Sequence, residues 1–170
     1  MPYCFISLGS NIAPEENCQL MLLALRSLSP NLAISRIIRT EPVGIASSNH
    51  FLNGVVRLQT GQRPAELKKA LIAIELRLGR DRDDPHSKVK DRVADLDILF
   101  CLPEDASTVP AALLPHESYV RPLLLELLDA LGYQVEAAQQ EPPAGHPLQL
   151  GGQTIGLAPL NLWHDESEQP

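Results

Sequence analysis

The chain has 170 residues, of which 44% are hydrophobic and 4% aromatic, and a formal net charge of -7 at pH 7. That length and apolar content suit one domain around one core and require no second domain. Every lysine and arginine except Arg121 lies at or before Arg92, so the last third is acidic. This argues against general nucleic-acid binding, which needs a basic patch or stripe.

The opening Met-Pro-Tyr-Cys-Phe-Ile has neither the basic start nor the long apolar stretch of a secretion signal, and no apolar run reaches a membrane-spanning length. A cytoplasmic protein is expected. Tyr3 to Leu8 reads as a strand stopped by Gly9-Ser10-Asn11, residue types that tolerate positive φ or cap a helix. From Pro14, two acids suited to a helix N-terminus precede Leu22, Leu25 and Leu28 at helical spacing. Leu32 to Arg39 alternates apolar and polar residues as a second strand would, and a loop from Thr40 to His50 follows. Phe51 to Leu58 reads as a third strand. Pro64 stands where a helix can begin, and Leu67, Leu71, Ile74 and Leu78 form an apolar stripe ending at Gly79, with Glu75 on the polar side. An irregular charged loop from Arg80 to Asp91 leads into a strand from Val93 to Leu102.

The resulting order, β-α-β-β-α-β, is that of the split βαβ or ferredoxin-like arrangement, an α+β sandwich with a mainly antiparallel sheet. Beyond it, Leu123 to Leu131 predicts a third helix ending at Gly132. Residues 139–152 are rich in Gln, Pro and Gly, and Thr154 to Trp163 reads as one extra strand or an extended arm before a loose acidic end. The chain thus divides into a domain over 1–135 and a C-terminal extension over 136–170. Cys4, Cys18 and Cys101 are odd in number and widely spaced, with no Cys-x-x-Cys pair. They indicate neither a disulfide framework nor a zinc site, and they suit a reducing cytosol.

The most informative run is Lys88 to Phe100. In an extended segment side chains alternate faces, so Asp95 and Asp97 point one way while Leu96 and Ile98 point the other. Two carboxylates held a few Å apart need a cation. A hard ion such as Mg²⁺ accepts one or two protein carboxylates and completes its octahedron with water and phosphate oxygens. The motif suggests metal-assisted phosphoryl chemistry, against the plainer reading of a polar strand with one solvated face.

Several short motifs fall into one known order: Gly9-Ser10-Asn11, Thr40-Glu-Pro-Val-Gly44, Phe51-Leu-Asn53, Ile74-Glu75-Leu, Gly79-Arg80-x-Arg82, Arg92-x-x-Asp95-Leu-Asp97-Ile-Leu-Phe and Leu114-Pro-His116. Together they resemble the hydroxymethyldihydropterin pyrophosphokinases of folate biosynthesis over residues 3–130. The resemblance implies a ferredoxin-like fold and transfer of the terminal diphosphate of ATP to the hydroxymethyl group of a reduced pterin, with release of AMP. It implies that Asp95 and Asp97 hold two Mg²⁺ ions. Arg82 and Arg92 would donate to phosphate oxygens, and Glu75, Arg80, His116 and Arg121 would complete the nucleotide site. Gly9, Thr40, Val43, Phe51, Asn53 and Leu123 would line the pterin pocket. The expected partners are ATP and the pterin, with no nucleic acid and no membrane, in a monomer or weak dimer.

Taken singly, each feature has an ordinary explanation. Gly9-Ser10-Asn11 is a strand-to-helix turn, Phe51 a core residue, His116 a surface histidine, Glu75 an exposed helix former, and the mixed charges of 80–92 a solvated loop. The pattern also breaks in places. Leu123 stands where the family carries a second aromatic ring, a change that forfeits stacking worth about 0.5–1.5 kcal/mol. Asp91 puts a carboxylate beside an arginine expected on phosphate, and Val109 to Leu114 lacks polar side chains. The alternatives are therefore a paralogue that binds a pterin or nucleotide but transfers poorly, and an interaction module of the same fold.

Overall fold

The computed structural model describes residues 1–42, 49–80 and 91–164. Along the chain run β1 (Tyr3–Ser10), α1 (Pro14–Arg26), β2 (Leu32–Ile34), β3 (Ile38–Thr40), β4 (Phe51–Gln59), α2 (Pro64–Arg77), β5 (Asp95–Leu102), β6 (Thr108–Val109), α3 (Arg121–Ala130), β7 (Gln134–Val135), β8 (Leu148–Leu150), β9 (Gln153–Ile155) and β10 (Leu160–Trp163). The main sheet has the order β10-β2-β4-β1-β5, with β3 paired to the first part of β4 and all neighbours antiparallel. Its inner order β2-β4-β1-β5, with α1 and α2 as the crossovers, is the ferredoxin-like α+β sandwich expected from the sequence.

β1 is central, and both of its faces are covered. Cys4, Ile6 and Leu8 join Leu22 and Leu25 of α1 and Leu67, Leu71 and Ile74 of α2 in one cluster. On the opposite face Phe5 stacks on Phe100 at 4.9 Å and meets Val55 and the leucines of α3. A strand buried on two sides needs a nearly unbroken apolar run, and Tyr3 to Leu8 supplies it. α2 ends as its sequence predicts, with Gly79 at φ +103°, a conformation that costs glycine nothing.

A register shift in β5 shapes the rest. Ile98 pairs with Ile6 but Phe100 pairs with Phe5, so Leu99 is an extra residue on that strand. The bulge changes the parity of the strand, and Asp95 and Asp97 therefore lie on the same face as Phe100 and Leu102. α3 covers the Phe100 half of that face. The half that carries the aspartates is left open.

Three expectations need correcting. Leu32 to Arg39 is not one strand but two, because the C-terminal segment captures the backbone of Ile37: its N–H donates to Gly156 O at 2.9 Å and its carbonyl accepts from the His146 N–H at 2.6 Å. Thr154 to Trp163 is likewise not a single piece. It ends the β8–β9 hairpin and then supplies β10 at the sheet edge, and Leu148, Leu150, Ile155 and Leu162 enter the main core. The cysteines are also paired differently from expectation: Cys4 and Cys101 lie directly opposite each other across β1 and β5 and form a disulfide, 97 residues apart in sequence. Cys18 is the free thiol, pushed up to about 12 by burial and by the nearby Glu15 charge. Among the described residues no helix is long and apolar enough to cross a membrane.

Candidate active site

Three strands bring the site together by register. Asp95 lies opposite Gly9, and Gly9 lies opposite Asn53, so a carboxylate and an amide flank a residue with no side chain. A methyl group at Gly9 would stand 2.8 Å from Asn53 Oδ1. Any side chain here would have to displace the Asn53 amide. Asn53 Nδ2 in turn donates to Thr40 Oγ1 at 2.6 Å, which aims its remaining polar atoms along the sheet surface.

Two adjoining cavities open over this row. The first is lined by Thr40, Glu41, Phe51, Asn53, Arg92, Asp95 and Tyr119. The second, about 380 Å³, runs from Ser7, Gly9 and Asn53 past Asp95 and Asp97 to Pro115, His116 and Tyr119. Asn53, Asp95 and Tyr119 border both, so one shared wall separates a small recess of about 40 Å³ from an acidic cleft.

The carboxylates are not equivalent. Asp95 accepts from Arg80 Nη1 on Oδ1 at 2.9 Å and from Arg92 Nη1 on Oδ2 at 3.0 Å. Asp97 is exposed on the cleft floor, and its carboxyl is pushed up to about 6, first by partial desolvation against the protein wall and then by the charges of Asp95 and Glu75. The donor set fits a hard divalent cation. Two carboxylates face one cavity, their mutual repulsion at Asp97 is only partly offset by the Arg80 charge, and each oxygen of Asp95 keeps a second lone pair beside its arginine. Among the described residues no group of three or more His, Cys, Asp or Glu side chains gathers to hold a metal. An ion here would take its remaining ligands from water or a bound phosphate.

Glu75 is not on an exposed helix face as its sequence position suggests. It is 0% exposed, and its Oε2 accepts from Arg80 Nη1 at 2.7 Å and from the Leu96 N–H at 2.9 Å. A buried carboxylate is tolerable only with such partners. Arg80, donating also to Ala94 O at 3.1 Å, links Glu75 to Asp95, and its buried Nε has no acceptor among the described residues.

Leu123 is a second correction. It is 0% exposed in the leucine cluster beneath α3 and borders neither cavity. The ring that borders the recess together with Phe51 belongs instead to Tyr119, a residue that the sequence reading did not single out. Its phenol is raised by burial and by the charges of Glu117, Asp95 and Asp97, against the lowering effect of Arg92. An aromatic between Pro115-His116 and Arg121 is the signal that could have found it. His116 borders the acidic cleft. Arg121 opens α3 and donates to Pro115 O at 3.1 Å, fixing the turn that carries His116 and Tyr119. Val43 and Arg82 lie outside the described residues.

A sequence model of the 7,8-dihydro-6-hydroxymethylpterin-pyrophosphokinase family matches residues 5–129. The chain is 38% identical over 115 residues to the 2-amino-4-hydroxy-6-hydroxymethyldihydropteridine pyrophosphokinase of Pseudomonas aeruginosa, covering 66% of this chain and 68% of that protein. The protein of the same name from Porphyromonas gingivalis is 34% identical over 120 residues, 68% of this chain and 80% of its own. The folate synthesis bifunctional protein of Arabidopsis thaliana is 33% identical over 133 residues, 75% of this chain and 26% of its own.

Proposed function

This chain belongs to the 7,8-dihydro-6-hydroxymethylpterin-pyrophosphokinase family, and from that premise we propose that it transfers diphosphate from ATP to the hydroxymethyl group of 6-hydroxymethyl-7,8-dihydropterin in folate biosynthesis, releasing AMP. The observation that carries the reading is the Asp95–Gly9–Asn53 row, which sets a cation-seeking acid pair beside an amide-floored recess.

In this reading Asp95 and Asp97 hold Mg²⁺, two ions with ATP bound. Mg²⁺ supplies charge neutralisation of the phosphates and makes the β-phosphorus a better electrophile. Arg92 and Arg82 donate to phosphate oxygens. Arg92 now donates to Asp95 Oδ2, so an arriving phosphate competes for a guanidinium already at the site. Glu75 serves the nucleotide by fixing Arg80 rather than by touching it, and Arg80 Nε is a donor that a phosphate oxygen can satisfy. His116 contacts the nucleotide from the cleft wall, and Arg121 holds the turn beneath it. Thr40, Val43, Asn53 and the Gly9 backbone frame the pterin, with Phe51 and Tyr119 as its flat walls. No covalent enzyme intermediate is needed, because aligning the hydroxyl with the β-phosphorus in a charged cleft accounts for the chemistry.

The catalytic unit is taken as 1–135, with 136–170 bracing it. The protein is read as a cytoplasmic monomer or weak dimer acting on small molecules. The decisive assay supplies ATP, Mg²⁺ and the reduced hydroxymethylpterin and follows AMP. Absence of AMP at high enzyme concentration refutes transfer. If Mg²⁺-ATP and pterin then still raised the melting temperature, a binding paralogue would remain, and if neither did, an interaction module would.

A further inference from the structure

We propose that Asp91 is a positioning residue that locks Arg92 and the ring pocket into one geometry; the proposal rests on the transfer reading above. By sequence Asp91 is a carboxylate competing with phosphate for its neighbour Arg92. Its side chain is turned elsewhere. Oδ1 accepts from Asn11 Nδ2 at 2.8 Å and Oδ2 accepts from Asn49 Nδ2 at 3.0 Å.

Asn11 is 3% exposed and grips the Arg92 peptide on both sides. Its Oδ1 accepts from the Arg92 N–H at 2.6 Å, and its own N–H donates to Arg92 O at 3.0 Å. An amide side chain has one accepting and one donating end. Asp91 takes the donating end, which leaves Oδ1 facing Arg92, so this carboxylate selects the rotamer that holds the arginine. The second amide matters equally. Asn49 lies two residues before Phe51, the ring at the floor of the recess, and it borders the cavity behind that ring together with Asn11. One ionised acceptor thus joins the turn after β1, the approach to β4 and the residue before Arg92. Hydrogen bonds to an ionised group are roughly twice as strong as neutral ones.

The test compares Asp91→Ala, Asp91→Asn and Asn49→Ala in steady-state assays with both substrates. Displacing a phosphate-binding arginine by about 1 Å costs up to roughly 10²-fold in rate. Asp91→Ala is expected to lower kcat roughly tenfold and also to raise KM for the pterin. Asp91→Asn keeps one acceptor for two donors and should fall between. The double variant Asn49→Ala/Asp91→Ala should lose less than the sum of the two single losses, because the changes share the Asn49–Asp91 contact. A merely structural role would shrink the active fraction, scaling kcat and leaving both KM values in place. Wild-type constants in Asp91→Ala, or additive losses in the double variant, overturn the proposal. A readout independent of turnover is the pair of side-chain amide signals of Asn11 and Asn49 in ¹⁵N-labelled protein. Both should stand apart from free amides and move together towards them in Asp91→Ala. Signals already at free-amide positions in the wild type overturn the lock, whereas a wild type that releases no AMP overturns the transfer reading alone.

Discussion

Asp97→Asn should make the ligand-free protein more stable while abolishing turnover. Asp97 stands beside Asp95 with Glu75 behind it, and its carboxyl is raised from 3.8 to about 6. A shift of about 2 units corresponds to roughly 3 kcal/mol at 1.36 kcal/mol per unit. The side chain is exposed, and solvent screening reduces such an effect, so about 1 kcal/mol is the expected gain. A raised carboxyl contributes its stability below the unfolded value of 3.8 and loses it as pH rises through about 6. At pH 8 the native protein therefore bears the full cost of ionised Asp97, and the amide variant does not. For a chain of this size about 1 kcal/mol is a rise in Tm of roughly 2–4 °C. Calorimetry on chelator-treated protein at pH 8 and at pH 4 measures it: the variant should melt higher at pH 8, and the difference should vanish at pH 4. With Mg²⁺-ATP the order should reverse, since only the native pair gains from the cation. A variant that melts no higher at pH 8, or keeps its advantage at pH 4, refutes the electrostatic account of the pair.

Glu75→Ala strands the Leu96 N–H and removes one acceptor from half-buried Arg80; a loss of roughly 3 kcal/mol is expected from the lost partners, and an unchanged Tm would show that Glu75 is not a structural anchor. Tyr119→Ala should raise the pterin KM roughly tenfold, from lost ring contact worth about 1.4 kcal/mol, with little change for ATP and near-normal behaviour in Tyr119→Phe. A shift in the ATP constant instead would move Tyr119 out of the pterin wall. The Cys4–Cys101 bridge closes a long loop, so a dithiol reductant should lower stability by about 2–4 kcal/mol. Alkylation of the denatured, unreduced protein should label Cys18 alone, and labelling of all three cysteines refutes the bridge.

The β-α-β-β-α-β order was legible because each element announces itself locally. The Leu67, Leu71, Ile74 stripe with Pro64 and Gly79 at its ends is one example, and the common face of Asp95 and Asp97 is another. What escaped the sequence depends on partners distant in the chain. Glu75 reads as exposed by helical periodicity, yet Arg80 and the Leu96 N–H fold over it. Cys4 and Cys101 meet only because antiparallel register sets them opposite, which residue spacing cannot reveal. Ile37 leaves its strand because residues after 145 take its hydrogen bonds. Leu123 enters the core and Tyr119, which no sequence motif marked, borders the cleft because the turn fixed by Arg121 decides which side chain faces which way.

The last strand of the main sheet, Leu160–Trp163, comes after the stretch that the family's sequences share. Trimming the protein to that shared stretch would bare the backbone of Leu32–Ile34 along its whole length. An uncovered strand of that kind invites pairing with another molecule. Leu160–Trp163 occupies that edge, so a stretch outside the shared one completes the main sheet.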